Sequence, residues 1–342
     1  MNRRTRTLIV SSVLFVALFV LSLTLPVPYV ILSPGPTYNT LGSDQFGRTI
    51  IVIDGRTANA TSGHLNMTTV SVTTHRLSVF EAIYGWIASD QVVVPKSAVY
   101  PPGQSQQQVA QRDTQDFAES QDSAVAAASC ELGYPKKFGV EQVVGATSEN
   151  KLRPADILLT IDGKPVDTQA KLLALLATEK PGAAVTIQVT RAGKPTSVSV
   201  SLGQPLQNRK GASLGINVGD VCSPPFSVDL GLGNQIGGPS AGLMFALGIM
   251  DKVGSVDLTK GLFIAGTGTI DPDGTVGPIG GIQLKMIAAR RAGATVVLAP
   301  AGNCGDVRGA TPKGLKVVRV DKLHDAVQDL LALQAGTAVP GC

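Results

Sequence analysis

The spacing of apolar residues changes character along the chain, and each change marks a boundary. Residues 8–25 form a mainly apolar run without a charge, long enough as a helix to cross roughly 30 Å of hydrocarbon. Residues 26–102 then alternate short β-rich runs, such as 49–53 and 66–72, with glycine-containing turns. One helix interrupts them. Ser78 and Glu81 make a capping-box pattern ahead of Val79, Phe80, Ile83, Trp86 and Ile87, whose aromatic cluster is expected in the core. Over 103–132 the composition moves to Gln, Ser and Ala; Val109, Phe117 and the run 124–128 predict a long, half-exposed helical connector rather than a polar linker. Residues 133–204 read as strand, turn, strand, helix, strand, strand. Their strands fall at 140–144, 157–161 and 185–190, the helix at 169–177, and the turns at Asp162-Gly163 and Ala192-Gly193. In 205–342, buried strands are expected at 261–270, 295–299 and 315–320, with helices after Ser240, around Lys285 and over 322–333.

The pattern therefore predicts an α+β multidomain protein: a basic flank at 1–7, a transmembrane helix at 8–25, a β-rich region at 26–102, a helical connector at 103–132, and two globular units at 133–204 and 205–342. Charge gives the first helix a direction. Arg3, Arg4 and Arg6 precede the apolar run, so the helix reads as a single-pass signal anchor with the arginines inside and the remaining chain outside the cytoplasm. The rival, a cleaved signal peptide, lacks an A-x-A-like site, because the run continues through Leu25-Pro26-Val27-Pro28. With a net charge of only +4, no basic stripe is left for nucleic acid. The four cysteines, Cys130, Cys222, Cys304 and Cys342, are far apart and form no CxxC pair. They suit up to two disulfides, among three pairings that sequence does not rank. His64 and His75 lack a third ligand nearby, so neither a metal nor any other cofactor is expected.

Candidate chemistry concentrates between Gly237 and Lys285. In GGPSAG, Ser240 stands at the start of an apolar helix carrying Leu243, Ala246, Leu247 and Met250, with Gly238, Pro239 and Ala241 keeping the backbone around it open. Free N–H groups at a helix start can hold an oxyanion. Lys285 lies on a second helix among Ile282, Met286, Ile287 and Ala289, a setting that desolvates an amine and lowers its pKa. A neutral amine within reach of a serine hydroxyl can take its proton, the Ser-Lys variant of acyl transfer.

The motifs GPSAG, GTGTI with Thr267, and GPIGGIQLK ending at Lys285 resemble, in order and spacing, the proteolytic domain of the Lon proteases, including the separation of 45 residues between serine and lysine. The resemblance covers about residues 218–333. It implies Ser240 as nucleophile, Lys285 as general base and Thr267 as a hydroxyl bonded to the lysine region. Gly237 stands where many Lon enzymes carry Asp, and Thr269 where they carry Glu. The block KLRPADILLTIDGKPV resembles that of PDZ domains, with Ala155 in place of the usual glycine. That likeness implies binding of extended peptides at the loop 134–139, with Tyr134, Phe138, Gly139 and Val140 as candidate contacts. The whole chain resembles the membrane-anchored, PDZ-bearing Lon-like proteases of bacteria, which lack an ATPase module, and no GxxxxGK(S/T) loop occurs in these residues. Implied partners are polypeptide substrates, the membrane through one helix, and further copies of the chain in a ring-like homo-oligomer.

Two rival functions remain. GPSAG also satisfies G-x-S-x-G, and the order Ser240, Asp306, His324 would suit an α/β-hydrolase triad, although the glycine-rich 231–238 is a poor strand for its elbow. Alternatively the chain is a non-catalytic PDZ scaffold at the membrane, with Ser240 a helix cap and Lys285 a surface charge. Asp271-Pro-Asp273-Gly274 lacks the later ligands of a calcium loop and reads as a tight turn.

Overall fold

The structure, a computed structural model, describes residues 2–145, 147–148, 151–191, 193–205, 210–222, 224–232 and 236–342. The chain divides into two compact units, one of Met1–Pro36 with Thr69–Val109, the other of Thr37–Thr68 with Ala110–Cys342. The β-rich region expected at 26–102 is thus not one body.

In the first unit the apolar run forms the helix Arg3–Thr24, which has no buried residue and takes the arginines into its first turns. Among the described residues it is the one helix long and apolar enough to cross a membrane. Strand Tyr29–Asn39 pairs antiparallel with Val92–Pro95, from Tyr29 opposite Pro95 to Leu32 opposite Val92. The helix Val79–Ile87 opens with the capping box as expected: Ser78 Oγ accepts from the Glu81 N–H, and Glu81 Oε2 accepts from the Ser78 N–H at 2.8 Å. Its aromatic cluster does not belong to a core. Only Ala82 and Gly85 are buried, while Phe80, Ile83, Trp86 and Ile87 point outward. The reason is steric: a Cβ on Gly85 would stand 2.9 Å from Val93 Cγ2, so only the small face of the helix fits against the strands.

The second unit holds three hydrophobic clusters. Parallel strands run in the order Lys316–Val320, Val296–Pro300, Phe263–Gly266, and then His64–Val72, whose His64 to Met67 lie opposite Phe263 to Gly266. Strand Ile51–Asp54 pairs with Ser227–Leu230. Parallel strands buried on both faces need near-continuous apolar runs, and Val296–Pro300 is buried throughout. Packed against them, the helix Gly242–Val253 is buried at every residue, in one cluster with Ile50, Leu65, Met67 and Leu298. The connector forms the helix Gln106–Glu131. It is half-exposed along its length rather than along one face, because residues from Phe117 onward enter the same core.

The second cluster belongs to a five-strand antiparallel path in the order Ile216–Cys222, Lys136–Val143, Ile157–Ile161, Ala184–Arg191 and Lys194–Ser201, with the helix Gln169–Leu176 over it. Its first strand in that order lies beyond 204, so the sheet draws on chain expected in the following domain. Ala155 adopts φ 68° and its N–H donates to Val140 O at 2.8 Å, which explains why glycine suits this position and shows alanine tolerated there. The hairpin between the last two strands turns at Gly193, with φ 81°; Ala192 of the expected turn lies outside the described residues. Cys130 pairs with Cys222 and Cys304 with Cys342.

Candidate active site

Ser240 precedes the helix Gly242–Val253 by two residues and is half-buried. Its turn is held from several sides. The Ser240 carbonyl accepts from Thr267 Oγ1 at 2.9 Å and from the Gly268 N–H at 2.9 Å, which fixes the serine to the end of strand Phe263–Gly266. Gly238 takes φ 82°, a conformation open to glycine, and its N–H donates to Asp113 O at 2.8 Å. Ser120 Oγ donates to Pro239 O at 2.8 Å. Both of these last anchors lie on the connector helix. Gly242 lets that helix approach, since a Cβ there would come 2.7 Å from Ser120 Oγ and 2.6 Å from Ile270 Cγ2.

Lys285 reaches the same point from the helix Ile282–Ala292. Gly281, at φ 68°, turns the chain into that helix, and Gly293, at φ 104°, stops it. The buried Ile282, Leu284, Met286 and Ala289 set its apolar face. Lys285 is 4% exposed. Its Nζ donates to Ser240 Oγ at 2.6 Å and to Thr267 Oγ1 at 2.9 Å, so Thr267 bridges the amine and the serine backbone. Burial pushes the ammonium down to about 8, because a charge loses its hydration there. In its neutral form the amine at this distance can accept the hydroxyl proton.

The remaining candidates separate from this point. His324 Nδ1 lies 2.7 Å from Glu131 Oε1 on the surface, and Ser240 Oγ meets Lys285 instead. Asp271-Pro-Asp273-Gly274 is the tight turn of the hairpin pairing Thr269–Ile270 with Val276–Gly277. The peptide-binding candidates are displaced. Tyr134 packs edge to face on Phe226 with centroids 5.6 Å apart and bonds Arg56. Phe138, Gly139 and Val140 lie in a strand paired on one side with 218–220 and on the other with Asp156 and Ile157, so it has no edge to offer a peptide. The sheet's edge on that side falls at Ile216–Cys222. Between it and the helix Gln169–Leu176 lies a cavity of about 350 Å³, lined by Leu172, Leu176, Leu214, Ile216 and Val218 with Lys210 at its side. The alternation of Leu214, Ile216 and Val218 was the available signal for this strand. Asp113 and Ser120 carried none, being polar residues on a helix.

A serine hydroxyl thus meets a buried amine beside a helix start on an α/β core. Residues 235–333 match the Lon protease (S16) C-terminal proteolytic domain. Residues 131–202 match the PDZ domain. The chain therefore carries a Lon-type proteolytic domain and a PDZ domain. It is 34% identical over 107 residues to Lon protease 3 of Sorangium cellulosum, covering 30% of this chain and 13% of that one. It is 30% identical over 177 residues to the Lon protease of Methylocella silvestris, covering 49% and 21%. The chain thus spans about a fifth or less of these relatives' length. The PDZ domain of the SdrC-like protein from Listeria monocytogenes is similar at 18% identity and TM-score 0.23, over 24% of this chain and 86% of that one.

Proposed function

We propose that the chain is a membrane-tethered serine endopeptidase that acts without ATP, with Ser240 and Lys285 as its catalytic pair. The observation that carries this reading is the 2.6 Å contact between Ser240 Oγ and an amine 4% exposed. The neutral Lys285 takes the Ser240 proton as Oγ attacks the peptide carbonyl. N–H groups of the turn from Ser240 to Gly242 stabilise the oxyanion, since those of Leu243, Met244 and Phe245 already donate to Gly268 O and Ala241 O, and the ammonium then protonates the leaving amine. Water repeats the sequence on the acyl-enzyme, with Lys285 again as base. Thr267 is a positioning residue, holding both partners.

The helix Arg3–Thr24 serves as the anchor, and its leading arginines favour a catalytic domain outside the cytoplasm. Pairing of all four cysteines supports an oxidising compartment. The PDZ domain engages substrate or regulatory peptides by strand addition at Ile216–Cys222, with apolar side chains entering the adjoining cavity. Assembly into a homo-oligomer is part of the same proposal, by analogy with Lon domains.

The test is hydrolysis of an unfolded protein by the full chain in detergent, with and without ATP, together with labelling by a serine-directed reagent. Ser240→Ala and Lys285→Met are each expected to lower kcat roughly a thousandfold or more, with ATP making no difference. A chain that is folded yet never labelled and never active would favour the scaffold reading.

A further inference from the structure

The helix Val79–Ile87 leaves its large side chains outward: Phe80 is 43% exposed, Ile83 46%, Tyr84 62%, Trp86 63% and Ile87 79%. It carries no basic residue, and its single acid, Glu81, is committed to the capping box and to His75. The helix is held against rolling. Gly85 meets Val93 and Ile31 so closely that a Cβ would stand 2.9 and 3.1 Å from their methyl carbons. The outward face is therefore a built feature of this unit, and water is a poor partner for it.

The same face is continuous with the helix Arg3–Thr24. The rings of Phe19 and Phe80 meet edge to face with centroids 5.9 Å apart, and Trp86 meets Tyr29 in the same manner at 6.1 Å. Phe19 lies five residues before Thr24, which at about 1.5 Å per residue is roughly 7 Å inside the end of that helix. Whatever touches Phe19 shares its depth. A helix lying in a bilayer boundary sinks about 5–10 Å, and Trp and Tyr concentrate at that level. Arg76 and Lys96, which flank the helix in sequence, are both exposed.

Resting on the anchor reading of Arg3–Thr24, we propose that Val79–Ile87 is a second membrane contact, an interfacial helix that lies in the lipid boundary at the end of the spanning helix. A second copy of the chain or a soluble protein covering this face would have to do so at the depth of Phe19, inside the lipid.

Trp86 is the single tryptophan of the chain, so its fluorescence reports this helix alone. The full chain is reconstituted into phosphatidylcholine–phosphatidylglycerol vesicles and floated on a density gradient. Acyl chains brominated near the headgroup end are expected to cut Trp86 emission to about half, more than bromine placed deeper, while acrylamide has little access. Replacing Ile83 and Ile87 together by Asp is expected to reverse both effects while flotation persists. Vesicle-bound chain whose Trp86 is quenched by acrylamide and not by bromine overturns the proposal and leaves the anchor standing. Trp86 shielded from both quenchers also overturns it, because protein then covers the face. Chain that fails to float overturns the anchor and this inference together.

Discussion

Lys285 sets the working pH of the proposed site. Since burial holds its ammonium down at about 8, kcat/KM is expected to rise with pH through a midpoint near that value as the neutral base forms. Thr267 refines this. Its hydroxyl accepts from Nζ and so favours the charged amine, hence Thr267→Val is expected to shift the midpoint lower while reducing kcat through loss of the bond to Ser240 O. A merely structural threonine would change the rate and leave the midpoint in place. Stability should rise with pH as activity does. Because the folded lysine titrates below its unfolded value, stability is highest above the unfolded pKa and falls as pH drops from 10.5 to about 8. At neutral pH the cost is about 3 kcal/mol, so the inactive Lys285→Met is expected to resist denaturant better than the parent chain, with that figure as an upper value. Ser240, Thr267 and Lys285 were legible because each lies in a short glycine-rich motif whose residue types have few structural uses together. The aromatic residues of Val79–Ile87 misled, since periodicity identifies a helix's apolar face without saying what covers it.

At the scale of elements, the serine turn depends on a helix more than a hundred residues earlier. The connector helix holds Gly238 through Asp113 O and Pro239 through Ser120 Oγ. This accounts for glycine at Gly237: a Cβ there would lie 2.6 Å from the Cβ of Asp113. Gly237→Asp is expected to push the turn off the connector and lower kcat more than tenfold, since an error of about 1 Å in a reacting geometry costs that much or more. Ser120→Ala removes one hydrogen bond, worth about 1 kcal/mol, and is expected to lower kcat/KM only a few-fold. Steady-state kinetics on both variants checks this order; a Gly237→Asp enzyme with parental kcat would show that the turn is set elsewhere. Helix and strand positions in the two matched domains were legible from periodicity, Ile157–Ile161 to the residue. Pairing was not. Nothing in the local pattern of Ile216–Cys222 says that it closes the sheet begun by Lys136–Val143, or that His64 to Met67 lie beside Phe263–Gly266, because register between distant strands is fixed by tertiary packing.

Across the larger unit, covalent links tie elements that the sequence left unranked. Cys130 follows the buried part of the connector helix and Cys222 ends an edge strand of the five-strand sheet, so one disulfide joins the helix that holds the serine turn to the proposed peptide-binding strand. The other ties Cys304 to Cys342. The loops they close differ, with separations of 92 and 38 residues, and loop entropy grows slowly with length, so each link is expected to contribute about 2–4 kcal/mol with the longer loop somewhat ahead. Dithiothreitol should therefore lower Tm in two additive parts. Replacing Cys304 and Cys342 by Ser is expected to remove the smaller part and leave basal hydrolysis near the parental rate. Replacing Cys130 and Cys222 should remove the larger part and also weaken any effect of PDZ-bound peptide on hydrolysis, since the direct covalent route between sheet and connector is gone. Calorimetry on the four-serine chain gives the reference: if its Tm matches the oxidised parent, neither cross-link stabilises the fold, and the paired cysteines no longer support an oxidising compartment.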